Sequence, residues 1–458
     1  MNALTQNPEF RRNLWLEFSP QRLFLMPAVI LLTLFVISKF SVGNGKTLSE
    51  IILSLSLAGF IGLTAVWGCV QTSNALGHEF SDGVWDSQRM SSLTPWQMTW
   101  GKLLGGSLYA WYGGGILLLV ALFAAGAGTT KWSFPDVLRG CVGLALLALL
   151  MQTLSMMRTL LLWQRHPGKT RGRVSIIGAL ILFWLLGSFF VSFFMGKIRD
   201  THIQPIDLLW YGGMKAGMDF MLLSLFALAV WAVIGLWQLM RRELLLRNRP
   251  WWWLTFLLFW MLWSAGFITQ LEQGQEKIWA IFFVFSAALT WMSVYLLIFL
   301  EKKDQAFWIR LIAAWRRRDS ELLQHLLPNW LVSFALALVF SLIALLLALP
   351  ELRLFSSGLL FLVSIVAFVL RDTAWILWLN LAPGARWPDG AALVSLAVAY
   401  GILPQISARL FLPSPSKAWF QEATFTAYLT APLTIHLVFA AAALWLLYSR
   451  FRKTFDGK

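Results

Sequence analysis

Apolar runs of about twenty residues recur along the whole of this chain, separated by short polar stretches. A helix rises 1.5 Å per residue, so a run of about that length crosses a hydrocarbon core of about 30 Å. The pattern predicts an all-α fold, a polytopic membrane protein of about twelve transmembrane helices. In the first half the spans fall near 22–40, 50–76, 103–126, 137–163, 174–197 and 218–240. In the second they fall near 251–269, 278–300, 329–349, 355–370, 390–410 and 426–448. The pair 329–349 and 355–370, separated only by Pro350 to Leu354, also reads as one re-entrant unit. A β-barrel is excluded, because its strands alternate polar and apolar positions rather than running continuously apolar.

Composition agrees with the pattern. The chain is 58% hydrophobic and 13% charged, where a soluble domain carries about 25% charged residues. Its net charge of +15 follows topology. With a cytoplasmic N-terminus, most of the 37 Lys and Arg fall in the inner segments 1–22, 77–102, 158–173, 241–249, 301–328, 371–389 and 449–458. That places both termini in the cytoplasm. A charge divided among short loops has no basic domain to bind nucleic acid, so none is expected as a partner. Many of the 27 Trp stand at span ends (Trp132, Trp210, Trp251 to Trp253, Trp279, Trp330, Trp387 and Trp419), where an aromatic belt is expected. Cys69 and Cys141 lie inside spans and define neither a metal site nor a disulfide framework. The first apolar run is of full spanning length with no small-residue cleavage site after it, so no cleavable signal is expected.

Residues 1–21 set Phe10, Leu14, Trp15 and Phe18 among Arg11, Arg12 and Glu17, the composition of an amphipathic helix on the inner membrane surface. The chain then divides into a first half, 22–246, and a second, 247–458, each with a long cytoplasmic loop after its second span, at 77–102 and 301–328. Asp86-Ser87 precedes Leu93 and Pro95 at the spacing with which Asp319-Ser320 precedes Leu326 and Pro328. Together these features suggest two six-helix halves in parallel repeat.

Chemistry-bearing residues are sparse. Every Asp and Glu reads as a loop or span-end residue, which disfavours an ion-coupled carrier, since such carriers need ionisable groups in mid-membrane. Gln152, Arg158, Arg371-Asp372 and His436 are the deepest polar positions. Arg371-Asp372 reads as a wetted pair where a loop begins, and His436 as a helix–helix hydrogen-bond partner. Gly45-Lys46-Thr47 and Gly168-Lys169-Thr170 are not P-loops, because the glycine required five residues earlier is replaced by Phe40 and Trp163. The chain therefore has no ATPase motif of its own, and no nucleophile elbow, His-Glu-x-x-His or Cys-x-x-Cys accompanies it.

The longest polar insertion of the first half remains, Gly77 to Lys102. It begins with acid, turns on Gly83, and ends in Leu93-Thr94-Pro95-Trp96 and Gly101-Lys102. Glycine permits the turn, proline after threonine starts a helix, and Lys102 would anchor the next span at the interface. This segment resembles the cytoplasmic coupling loop of ABC-2-type transporter permeases. In that family an acid-rich turn, a glycine, an apolar helix and a Leu-Ser-Pro-Trp…Gly-Lys ending precede the third span. Glu79, Gly83, Leu93, Pro95, Trp96, Gly101 and Lys102 match in register. Val84, Ser92 and Ser81 depart from the pattern, standing where the family has threonine, proline and a second acid. Trp15 to Arg22 is similar to the interfacial entry helix of such permeases, and the resemblance covers about residues 15–110.

The resemblance implies a permease subunit that binds no cofactor itself. A separately encoded ATP-binding subunit, in two copies where one chain supplies both halves, would hold ATP and Mg and dock the short loop helix in a groove. It implies export more often than import, across a bacterial-type inner membrane. A second coupling segment would run through Asp319, Ser320, Leu326 and Pro328; otherwise 301–328 is a basic interfacial helix binding anionic lipid. Two other readings stay open. A membrane lipid or glycan transferase would need a catalytic acid among Glu50, Asp136, Asp200, Asp207, Asp219, Glu272 and Glu276, and a non-catalytic scaffold would need none.

Overall fold

A computed structural model describes residues 7–41, 47–127, 132–165, 176–184, 186–187, 207–246, 248, 250–268, 275–301, 303, 305–348, 355–382, 387–402 and 433–455. Those residues are overwhelmingly helical, as expected of an all-α polytopic membrane protein. Among them, seven helices are long and apolar enough to cross a membrane: Pro20–Phe40, Leu48–Ser81, Leu108–Gly126, Phe134–Gln164, Gly217–Glu243, Ile281–Leu300 and Asn329–Leu347. Trp251–Phe267 and Pro388–Tyr400 are shorter apolar helices. The one departure from all-α among the described residues is a hairpin of β1 (Asp207–Trp210) and β2 (Gly213–Ala216). Its turn places Tyr211 and Gly212 at φ 48° and 69°, the left-handed pair that a two-residue hairpin requires.

The chain forms two compact units, one of residues 1–209 and 213–248, the other of 210–212 and 249–458. The first contains α1 (Pro8–Glu17), α2 (Pro20–Ser41), α3 (Leu48–Ser81), α4 (Val84–Arg89), α5 (Pro95–Gly105), α6 (Leu108–Gly126), α7 (Phe134–Arg165) and α8 (Gly217–Glu243). Three apolar clusters hold it together, one around Phe60, Cys69, Leu147 and Met151, one around Leu76, Met98, Leu103, Met156 and Leu236, and one around Leu53, Ala121, Val137 and Cys141. In lipid, apolar surface alone gives helices little reason to associate, so polar bonds between them matter. Ser73 shares a 2.9 Å hydrogen bond with Thr159, and the Ser155 hydroxyl donates to the Cys69 carbonyl at 2.9 Å.

Residues Ile61–Trp67 of α3 wind as a π-helix, which lets a carbonyl face a neighbour instead of the helix ladder. Gln152 of α7 exploits this: its Nε2 donates to the Thr64 carbonyl at 2.8 Å, while its Oε1 accepts from Ser107 and Trp111, both at 2.9 Å. Gln152 is thus a hydrogen-bonded joint that ties α3, the start of α6 and α7 together.

The second unit contains α9 (Trp251–Ile268), α10 (Gln275–Leu300), α11 (Gln305–Arg316), α12 (Ser320–Leu326), α13 (Asn329–Ala348), α14 (Phe355–Asn380), α15 (Pro388–Ala397) and α16 (Leu433–Phe455). A second π-helix, Val398–Ile402, continues α15. The core gathers Trp291, Val294, Ile298, Trp330, Ala337, Ile376 and Leu377. Trp330 is therefore buried rather than part of an aromatic belt, whereas Trp251, Trp279 and Trp387 are exposed as a belt requires. Trp419 lies outside the described residues.

An expected boundary moves in the second unit. The span expected to end at 370 continues as helix to Asn380, so Arg371 and Asp372 sit within α14 and not at the start of a loop.

Candidate functional site

Within 77–102 the backbone is helix–turn–helix–turn–helix. α3 runs on to Ser81, Gly83 turns the chain at φ 71°, α4 follows, and α5 begins at Pro95. Only the left-handed region fits that turn, and glycine enters it without the Cβ clash other residues meet. Thr94 caps α5, accepting from the Gln97 amide at 3.2 Å while the Gln97 side chain accepts from the Thr94 amide at 3.0 Å. This capping box satisfies two donors that the first turn leaves open.

Four short or terminal helical segments converge on Lys102. Its ammonium donates to Glu9 Oε1 at 2.9 Å, to Gln88 Oε1 at 2.7 Å, and to Glu79. Arg12 donates to Glu9 at 2.9 Å and also to Glu79, and Gln88 Nε2 donates to Glu79 at 3.3 Å. The Lys102 ammonium stands 5.2 Å from the Trp85 ring. Trp85 in turn donates its indole N–H to Glu243 at the end of α8, at 3.3 Å. The Lys102 and Glu9 side chains are each only 4% exposed, and Glu79 is 16% exposed. Two carboxylates and two cations balance, which is the condition under which charges tolerate burial.

The sequence expectation that Lys102 anchors a span at the membrane interface is corrected here. Its charge is buried against two acids and an indole, not extended toward headgroups. The next span also starts later than residue 103: α5 ends at Gly105 and α6 opens at Leu108.

Close approach of α1 makes the arrangement possible. A Cβ on Gly101 would lie 2.7 Å from Glu9 Cβ, and one on Gly105 would lie 2.8 Å from Asn13 Cβ. Asn7 and Asn13 then bond across to the Gln97 and Gly101 carbonyls at 2.8 and 3.2 Å. α1 thus turns Glu9 and Arg12 toward α3 and α5 and leaves Leu14, Trp15 and Leu16 exposed.

Of the residues singled out in this loop, Glu79, Gly101 and Lys102 come together in the network. Gly83 shapes the turn, Pro95 opens α5, and Leu93 packs into the cluster of Leu76, Phe80 and Met98. Trp96 is about half exposed and meets Trp100 and Trp237 edge-on. Glu9, Arg12, Trp85, Gln88 and Glu243 are members that the sequence reading missed. The outer side of α4 exposes Val84, Asp86, Ser87 and Met90.

The second loop is built differently. Asp319 caps α12, accepting from the Leu322 amide at 3.0 Å, and Ser320 begins that helix, whereas Asp86 and Ser87 lie inside α4. Leu326 ends α12, and the buried Pro328 precedes α13. The shared spacing does not produce a shared local structure.

The second unit holds its own polar centre. Asp372 is 1% exposed. One oxygen accepts from the Tyr295 hydroxyl at 2.7 Å and from Tyr400, and the other from Arg371 Nε and Nη2 at 2.9 and 2.8 Å. Arg371 lies over the Phe368 and Tyr400 rings at 4.8 and 5.4 Å, and Tyr400 is carried by the π-helix. Asp372 is therefore a buried acid within α14, not half of a wetted pair where a loop begins.

The acids a transferase would use are engaged elsewhere or undescribed. Glu50 closes a capping box with Thr47, and Asp136 and Asp219 both pair with Arg139. Asp200 and Glu272 lie outside the described residues, as do the side chains of Asp207, Glu276 and His436, and Lys46 and Lys169 of the two Gly-Lys-Thr tripeptides. Among the described residues no group of three metal-ligating side chains occurs. No protein-family model, curated protein or solved structure matches the chain.

Proposed function

We propose that this protein is the membrane-spanning permease subunit of an ATP-driven transporter, of the ABC-2 type, coupled to a separately encoded ATPase through the 77–102 loop. The observation that carries the reading is the buried network on Lys102. It fastens the short, solvent-facing α4 to α1, to the end of α3 and to α5, so a push on α4 is delivered to spanning helices as a unit. A force-transmitting element needs this stiffness, which a loop tethered only by its ends lacks. The resemblance of Glu79, Gly83, Leu93, Pro95, Trp96, Gly101 and Lys102 to the family's coupling loop supports the same reading. ATP and Mg belong to the partner, and export across a bacterial-type inner membrane with both termini cytoplasmic is the direction proposed. The division into two compact units favours one chain supplying both transmembrane halves, in parallel repeat with about twelve spans, to two ATPase copies.

Gentle purification of the tagged chain from its native membrane tests this directly. The expected companion bears a genuine P-loop, and Glu79→Lys or Arg89→Pro leaves it bound while separating ATP hydrolysis from transport. Transport unchanged in both variants overturns the coupling role.

A second reading follows from Asp372, since a buried acid inside an apolar helix also suits ion-coupled carriage. Arg371 already neutralises that carboxylate, which makes this the weaker alternative. Transport that persists without ATP but collapses with the ion gradient would select it.

A further inference from the structure

α11 and α12 join two membrane-spanning helices, α10 and α13, so segment 301–328 lies at a membrane face by connectivity alone. One side of α11 is committed to the protein: Leu311 and Ala314 are buried, and Trp308 meets Trp330 and Phe451 edge-on or tilted. The opposite side presents Ile309, Arg310 and Arg316, all exposed; the exposed Arg317 follows the end of the helix, and Trp315, on the stripe of Trp308 near that end, is 70% exposed. Among the described residues no carboxylate pairs with Arg316, Arg317 or Arg318. Arg318 closes the helix at φ 55°, donating its amide to the Trp315 carbonyl at 3.1 Å, while the Asp319 amide reaches the Ala314 carbonyl at 3.1 Å. Glycine takes such a C-terminal position without strain. Here the chain instead carries a third consecutive guanidinium at that point.

We propose that the outward face of α11, with Arg316 to Arg318, is a docking surface for an anionic phospholipid headgroup layer. Arginine forks match phosphate oxygens, and the exposed Ile309 beside them suits the boundary between headgroups and acyl chains. An ATPase groove is the competing occupant. An outward face that combines arginines with Ile309 is complementary to an anionic leaflet. This inference leaves the role proposed for the 77–102 loop untouched but takes α11 as an interfacial helix and not as a second coupling segment, so a second ATPase copy would dock elsewhere.

The test places a nitroxide at Ile309→Cys in the full-length chain, where both native cysteines are buried and so shielded from the label. The labelled protein is reconstituted into bilayers of phosphatidylcholine with or without phosphatidylglycerol. The expected result is a label more accessible to oxygen than to a nickel chelate only when phosphatidylglycerol is present. Added salt should reverse this, because surface charge is screened over about 10 Å at 0.1 M. Arg316→Gln, Arg317→Gln and Arg318→Gln should each weaken phosphatidylglycerol retention about fivefold, read by native mass spectrometry. A label equally open to nickel in both bilayers overturns the proposal. Shielding that appears only when a soluble ATP-binding protein is added also overturns it, and assigns the face to that protein.

Discussion

Replacing Lys102 with Met preserves length and apolar bulk but deletes the only cation that contacts Glu9, Glu79 and Gln88 together among the described residues. Arg12 still reaches both acids, yet it is one charge against two, and its side chain is 37% exposed where Lys102 is 4% exposed. Breaking a buried pair by removing one partner costs about 3–5 kcal/mol, whereas an exposed pair is worth about 0–1 kcal/mol. The burial of Glu9 places Lys102→Met near the lower end of the first range, about 3 kcal/mol, because Arg12 offsets part of the loss. The assay is reversible unfolding of the purified protein in mixed micelles titrated with a denaturing detergent. Glu79→Gln and the double variant complete a cycle. The double should be less destabilised than the sum of the singles, by about 1–3 kcal/mol. A Lys102→Met effect below about 1 kcal/mol, or additive singles, would mean the site behaves as surface. The network could not then transmit force.

Two further substitutions probe the supports of these centres. Gly101→Ala puts a methyl group against the Glu9 side-chain stem, so α1 must shift; the expected loss is about 1–3 kcal/mol in the same assay, with faster proteolysis at Arg11 and Arg12. A change below about 0.5 kcal/mol would argue against the close packing of α1 on α5. In the second unit, Asp372→Asn should destabilise by about 3–5 kcal/mol because it leaves Arg371 without its carboxylate. Adding Arg371→Gln should recover part of that loss, and no recovery in the double variant would show that the pair does not act as a pair.

Spans such as those of α2, α7, α8 and α13 lie close to where the apolar runs put them, because continuous apolarity leaves a segment little alternative in lipid. The same logic misplaces the end of α14. A hydropathy reading stops a span at its first charges, Arg371 and Asp372. The physical reason the helix continues is that two tyrosine hydroxyls, 77 and 28 positions away along the chain, satisfy the carboxylate. Compensation of that kind is invisible to a local pattern. Trp330 fails for a related reason: a Trp at a span end looks like a belt residue until a neighbouring helix covers it.

The candidate site divides along the same line. Gly83, Thr94 and Pro95 act on their own backbone, so their roles are legible from adjacent letters. Glu9 and Arg12 act on Lys102 and Glu79, at separations of 93 and 67 positions. In a short amphipathic helix the polar side is ordinarily read as facing water. A usable signal was nevertheless present. Lys102 borders an apolar span, where a lone charge is costly, so it demanded an acid, and Glu79 and Glu9 were among the acids on the same side of the predicted spans. An unpaired cation bordering a span is thus better treated as a demand for a partner than as an anchor. The Asp319 echo teaches the converse. Identical spacing to Asp86 yields a helix cap in one loop and a mid-helix residue in the other, because a short polar residue takes its role from where the surrounding helix happens to begin.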